Sequence, residues 1–412
     1  MKFTTFYKQV FIYILFLSSL LFGFYLNENL TGGAIYDYNF HTNIVEILFS
    51  ESIIYGLLNY ENAGSHSPLF IILLKFLTQQ SELIGRLIYL IFSSFIVVIF
   101  YKILKLRFEA NSLLIFLLSN FFFLSPYFRS YSIWPGDETF SLILFCFSIY
   151  FFLKFSNQNS SKIYIIYNVI FIALASYLRP IYCLFSIFYF YVFFIEKKCD
   201  FKFFIYYFLL NIFLAFPAFY YVFILEIDFF LSSIQSFNFV NTFTLFYVTI
   251  FFYLTPFIIF NFKDIFFRKI NLVNLSLTLI AFLFVLIFFN YKIASGGGFY
   301  FQLSKLIFKN DFLIYIVFPF AFYYSNQILQ IQKFRNFIIF IILIFIEIDA
   351  QFYIESYDPL FYVLFFTIFE VSIINKIFLD LKKSLSLIFL FQFFLIFSKL
   401  LQQNFLMNFL SF

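Results

Sequence analysis

Pro68-Leu69-Phe70-Ile71-Ile72-Leu73-Leu74-Lys75-Phe76-Leu77 is the apolar run on which the topology of this chain turns. A membrane-spanning helix needs about 20 mostly apolar residues. This run is too short to cross and is closed by Thr78-Gln79-Gln80, so it reads as a surface helix. With that placement, six later basic clusters fall on the same side as the amino terminus. They are Lys102, Lys105 and Arg107; Lys154 with Lys162; Lys197, Lys198 and Lys202; Lys263, Arg268 and Lys269; Lys333 and Arg335; and Lys382 and Lys383. This is the distribution expected of cytoplasmic loops. Counting the run as a span would invert all six.

The composition sets the environment. The chain has 412 residues, 64% of them hydrophobic and 11% charged, more apolar surface than a soluble domain of this length can bury. The 81 Phe and 32 Tyr read as filling for apolar positions, not as aromatic chemistry. The sequence therefore predicts an all-α polytopic membrane protein, one transmembrane domain over residues 1–412. Thirteen spans are expected near 8–26, 83–104, 109–126, 138–155, 163–178, 180–196, 203–225, 242–262, 271–290, 311–331, 336–350, 359–379 and 384–401. The first follows Lys2 and Lys8 and lacks a small-residue cleavage signal, so it reads as a retained anchor with the amino terminus inside. Residues 27–82 form the first outer loop, and 83–412 carry the remaining spans.

In that loop, Asn39, Asn43, Glu46 and Ser50 recur at steps of three or four, while Ile44, Leu48, Ile53, Leu57 and Leu58 fill another face. The pattern predicts an amphipathic interfacial helix. After Gly64, Ser67 is placed to cap and Pro68 to open a second short helix, with Lys75 snorkelling to the surface. The outer face also collects most of the acids: Asp37, Glu46, Glu51, Glu61, Glu82, Asp137, Glu138, Glu226, Asp228, Asp311, Glu347, Asp349, Glu355 and Asp358. For any one of them the alternative is a solvated loop residue.

Two motifs in this loop carry a resemblance. Gly32-Gly33-Ala34-Ile35-Tyr36-Asp37 places an acid shortly after the first span, and His66-Ser67-Pro68-Leu69 makes a turn before the second. Over roughly its first two hundred residues the chain resembles polytopic glycosyltransferases of the GT-C fold, of the protein-mannosyltransferase and lipid A aminoarabinose transferase type. Relatives often carry Asp-Glu where this chain has Asp37-Tyr38, and Pro where it has Ser67. Looser matches are Arg129-Ser130-Tyr131 through Asp137-Glu138 after the third span and Leu178-Arg179-Pro180 after the fifth.

The resemblance implies transfer of a sugar from a polyprenyl-phosphate carrier to a lipid, glycan or protein acceptor. The site would lie between the first outer loop and the outer ends of later spans, at the periplasmic face of a bacterial inner membrane. Asp37 would be the base. His66, Arg129 and Arg179 would meet the donor phosphate, with Asp137, Glu138, Tyr357 and Asp358 as further substrate contacts. For each arginine the competing reading is headgroup snorkelling or pairing with Asp137, Glu138 or Glu347; for His66 it is turn capping. Glu370 reads as an ionisable group well inside a span, structural or paired.

No cluster has metal-ligand spacing, since the histidines are His41 and His66 alone. No cofactor is expected; some GT-C relatives use a divalent metal and others do not, and metal independence is the default. Cys146, Cys183 and Cys199 suggest no disulfide framework. Ser295-Gly296-Gly297-Gly298 lacks the context of a nucleotide-binding loop and reads as a flexible outer turn. The net charge of +5 reflects loop signals without a continuous patch, so nucleic acid is not an expected partner; membrane lipids are. Two other classes share the span count: a lipid-linked oligosaccharide flippase or transporter, and an O-antigen-type polysaccharide polymerase. The first would show inverted repeats or paired broken spans, the second large arginine-bearing loops in the later half.

Overall fold

The computed structural model describes all residues except 1, 51, 59, 61–66, 80, 159–160, 226–230, 232–233, 267–270, 294–295 and 411–412. Among the described residues the secondary structure is helical throughout, with no strand. Six helices are long and apolar enough to cross a membrane, and eight if each of two bent pairs is one span. Each segment expected to span contains helix. Those near 163–178, 271–290, 311–331 and 336–350 form helices of 16, 17, 17 and 11 residues, shorter than a straight crossing requires. That near 180–196 divides into a 3-10 turn, a short α-helix and a π-helical turn. The long apolar helices are compatible with an integral membrane protein. Phe213, Leu272 and Ile287 are 74%, 76% and 71% exposed, a degree of apolar exposure suited to lipid contact and not to water.

The chain divides into two compact units, residues 1–230 with 388–412, and residues 231–387. In the first, α1 (Lys2–Tyr25) leads into the loop helices α2 (Ala34–Leu48), α3 (Ile53–Leu58) and α4 (Pro68–Thr78). The amphipathic pattern is realised in part: Ile44 and Leu48 are buried while Asn39, Asn43 and Glu46 face outward, but α2 ends at Leu48, and Ile53, Leu57 and Leu58 fall in α3, where Leu57 is exposed. Two details of α4 differ from expectation. Ser67 stands at the cap position without capping, because its hydroxyl donates to the Tyr177 carbonyl; Lys75 donates to the Phe49 carbonyl instead of reaching outward. Both polar groups thereby tie α4 to neighbouring backbone, and Phe70, Ile71 and Leu74 are buried beneath it.

Next come α5 (Glu82–Ser94) and α6 (Ile96–Arg107), which together give 26 residues long and apolar enough for one crossing. Then α7 (Ser112–Ser119), continued by a 3-10 turn, meets α8 (Pro126–Ile133) at a bend of 67°. The bend follows from the chain: Pro126 opens α8 at its first turn and the Ser125 hydroxyl caps it by accepting from the Phe128 amide. Then α9 (Asp137–Gln158) packs along α10 (Ile163–Leu178), locked by Asn168 Nδ2 donating to Ser148 Oγ at 2.8 Å and by the stacked Phe147 and Phe171 rings. Next, α11 (Phe185–Phe190) and α12 (Phe201–Tyr220) complete this part of the chain.

In the second unit α13 (Phe239–Phe260) is the central helix, buried along most of its length. Around it in the chain stand α14 (Phe262–Phe266), α15 (Leu272–Phe288), α16 (Gly298–Phe308), α17 (Phe312–Ile328) and α18 (Phe334–Ile344). A polar seam joins three of them: Tyr247 donates to Asn326 Oδ1 at 2.9 Å and Asn274 Nδ2 to the Tyr323 carbonyl at 3.0 Å. Buried amides paired across helices replace hydrogen bonds that lipid cannot supply.

Two expectations in this unit are corrected. Gly296, Gly297 and Gly298 form a packed turn, not a flexible one: all three have positive φ, the Gly297 amide donates to the Phe352 carbonyl at 3.0 Å, and a Cβ on Gly296 would collide with that carbonyl. Ser295 lies outside the described residues. Glu370 is not inside a helix. The segment breaks there, with α19 (Leu360–Thr367) and α20 (Ser372–Leu379) at 89° to each other, and the Glu370 carboxylate pairs with Arg335. The final helix, α21 (Leu381–Leu410), begins in the second unit and ends in the first.

Candidate functional site

Asp37 lies in the first turn of α2, where the helix dipole favours a negative charge. Gly32, in the left-handed region, and Gly33 deliver the chain into that turn. The Tyr131 hydroxyl, on buried α8, donates to Asp37 Oδ2 at 2.9 Å. Gly33 lies beside this pair, and a Cβ there would make only ordinary contact with Asp37 Oδ2 at 3.7 Å and the Tyr131 hydroxyl at 3.8 Å.

The far side of Tyr131 leads to the second acidic group. Gly136 passes between Tyr131 and Glu138 so closely that a Cβ would strike both. Glu138, in the first turn of α9, faces Arg179 at 3.9 Å, and both side chains are about four-fifths covered. Asp137, Arg179 and Asp37 are the charges it feels. Arg179 stands in extended backbone where α10 ends and Pro180 starts a 3-10 turn, so the Leu178-Arg179-Pro180 break is what turns its guanidinium toward α9. Thus Asp37, Tyr131, Asp137, Glu138 and Arg179 come together from α2, α8, α9 and the end of α10. Three carboxyl groups thus gather around one guanidinium, a setting in which an incoming phosphate competes with Glu138 for Arg179.

Arg129 is engaged elsewhere. Its Nε and one terminal nitrogen donate to the two Glu28 oxygens at 2.6 and 2.5 Å, and its remaining donors reach Ser19 and the Phe123 carbonyl at 3.1 and 2.9 Å. This bidentate pair joins α8 to the end of α1, and Gly23 makes room for it. Glu28, absent from the sequence reading, also accepts from Trp134 Nε1 through its carbonyl at 3.1 Å. A second arginine that the sequence reading missed is Arg86. It is 5% exposed, stacks on Trp134 with 3.4 Å to the ring centroid, and donates to the Ile133 carbonyl and Asn27 Oδ1, each at 3.1 Å. Tyr38, beside Asp37 in the chain and packed on Trp134, has its phenol pushed up to about 12 by burial, with Glu82 adding to the shift and Arg86 opposing it. The signal for Arg86 was an arginine one turn inside an apolar span, a position that demands a partner.

The other expected site residues lie apart from this account. His66 falls outside the described residues, as do Glu51, Glu61, Glu226 and Asp228. Tyr357 and Asp358 belong to the second unit and are buried; the Tyr357 hydroxyl donates to the Leu343 carbonyl at 3.3 Å and its ring stacks on Phe352. Asp358 precedes a cis proline at the entry to α19. Nearby, burial raises the Tyr291 phenol, and the Asp349 and Glu347 charges push it the same way. Among the described residues no group of three His, Cys, Asp or Glu side chains is arranged to hold a metal ion.

No protein-family model, curated protein or solved structure matches this chain.

Proposed function

We propose that this chain is a GT-C-type membrane glycosyltransferase of about thirteen spans. It would move a sugar from a polyprenyl-phosphate carrier to a lipid, glycan or protein acceptor at the periplasmic face of a bacterial inner membrane. The observation that carries the reading is the convergence of Asp37, held by Tyr131, with the Glu138–Arg179 pair. Transfer breaks the bond between the anomeric carbon and the carrier phosphate and forms one to the acceptor oxygen. The acceptor proton goes to Asp37, and the negative charge left on the phosphate is met by Arg179. Tyr131 orients the carboxylate by donating to its Oδ2. Arg179 is loosely paired at 3.9 Å, so phosphate oxygens can replace Glu138 at little cost. Assay with and without a chelator tests whether a divalent cation is needed.

The test is release of radiolabelled sugar from polyprenyl-phosphate donors by the purified chain, with host lipid and glycan extracts as acceptors. Asp37→Asn should lower release about a hundred- to ten-thousandfold, the usual contribution of a general base. Unchanged release by a folded Asp37→Asn would remove Asp37 from the chemistry. No release from any donor, together with tight binding of the carrier lipid, would move the assignment to a flippase or transporter.

A further inference from the structure

The second unit carries a polar groove that the proposed transfer does not use. It has a volume of about 460 Å³ and is lined by Asn261, Lys263, Asp264, Gln327, Gln330, Ser372 and Lys376 among others. That volume lies in the range of sites that hold small ligands and headgroups. The lining is built, not incidental. Gln330 adopts a left-handed backbone, φ 50°, which glycine or asparagine would adopt more easily, and its amide donates to Ser372 Oγ at 2.6 Å. Asn336, fully buried, ties the Gln330 carbonyl at 3.4 Å to the backbone of Glu370 at the α19–α20 break. The bend of the broken helix therefore fixes where Ser372 and Lys376 stand.

Two ammonium groups face this space. Lys376 Nζ is held by Asp264 at 2.6 Å, whereas Lys263 has no ion pair among the described residues. Asn261, Gln327 and Gln330 make the rest of the wall polar, their amides held by Phe257, Tyr323 and Ser372. Lysine is a compact charge suited to phosphate. The surroundings indicate the source of that phosphate. Phe262 and Leu379, adjacent to or one turn from the two lysines, are 49% and 87% exposed, so the charged lining opens between bare apolar side chains. Such a border of ammonium and apolar groups matches the boundary between hydrocarbon and headgroups.

We propose that this groove binds the phosphate of an anionic phospholipid headgroup. The probe is phosphatidylglycerol, with phosphatidylcholine as the zwitterionic comparison, offered to the purified full chain and read as lipid retained in native mass spectrometry. Wild type should retain phosphatidylglycerol preferentially. Each lysine is worth about 1 kcal/mol near an anionic headgroup, roughly fivefold. Lys263→Ala with Lys376→Ala should therefore lower retention some twenty- to thirtyfold, and Lys102→Ala, in the other unit, should leave it unchanged. Asp264→Asn releases Lys376 and should raise retention, which keeps the test open if the double variant does not fold. Equal retention of the two lipids, or retention untouched by both groove variants, overturns the site. Binding of soluble glycerol phosphate at these lysines without retention of phosphatidylglycerol overturns the lipid as its source.

Discussion

A carboxylate oxygen that accepts a phenol hydrogen bond at 2.9 Å is fixed in orientation without being neutralised. Tyr131 is therefore a positioning residue whose effect should run through Asp37 alone. Hydrogen bonds to charged groups are worth about 1.5–3 kcal/mol, and 1.4 kcal/mol is tenfold. Tyr131→Phe should accordingly slow sugar release by at least tenfold, with the loss in turnover and not in donor affinity. In the Asp37→Asn background the same substitution should cost almost nothing further. A double-mutant cycle on release rates measures this directly, and two independent, additive losses would show that the phenol touches substrate itself. Arg129 shows why residue type alone misleads at this scale. It sits beside Tyr131 in the sequence and looks equally ready for phosphate, yet Glu28, 101 positions away, takes two of its donors. Nothing local distinguishes it from Arg179, whose partner Glu138 holds it at a longer distance.

At the scale of elements, breaks in helices were legible where the chain carries a breaker and illegible where it does not. Ser125-Pro126 and the three glycines at 296–298 announce their turns by the backbone geometry they require. The segment Thr367-Ile368-Phe369-Glu370-Val371-Ser372 carries neither Gly nor Pro, so it reads as continuous span and Glu370 as a buried charge. Its break is held instead from outside by Asn336. That side chain accepts from the Glu370 amide at 2.8 Å and donates to the Glu370 and Leu329 carbonyls at 3.2 and 2.8 Å. Asn336→Ala strands these buried backbone groups and should destabilise the chain by about 1–3 kcal/mol. Glu370→Gln alters a carboxylate that is 44% exposed and should cost less than about 1 kcal/mol. Unfolding in mixed micelles compares the two, and a larger loss for Glu370→Gln than for Asn336→Ala would assign the break to the Arg335–Glu370 charge pair and not to the amide.

For the whole molecule, environment and helical class were legible because they depend on sums: apolar content over windows, and basic residues counted between them. Pairings were less so: Glu138 was among the partners the sequence offered Arg179, whereas Asp37–Tyr131 and Arg129–Glu28 join elements far apart in sequence, and no periodicity encodes such partners. Sidedness belongs with the sums and can be measured as one. The short α4, of 11 residues, is tethered by Ser67 and Lys75 to nearby backbone and half-buried against its neighbours. If it does not cross, the two ends of the α5–α6 crossing lie on opposite faces, with Gln79 on the side of Asp37 and Lys105 on the basic side. Single cysteines at those two exposed positions, in a chain with Cys183 and Cys199 replaced by alanine, should separate under a membrane-impermeant thiol reagent applied to intact cells. Gln79→Cys should label from outside and Lys105→Cys only after permeabilisation. The reverse pattern would put Asp37 and its pocket among the cytoplasmic loops, where a periplasmic acceptor has no access; labelling of both from outside would mean that residues 82–107 do not cross at all.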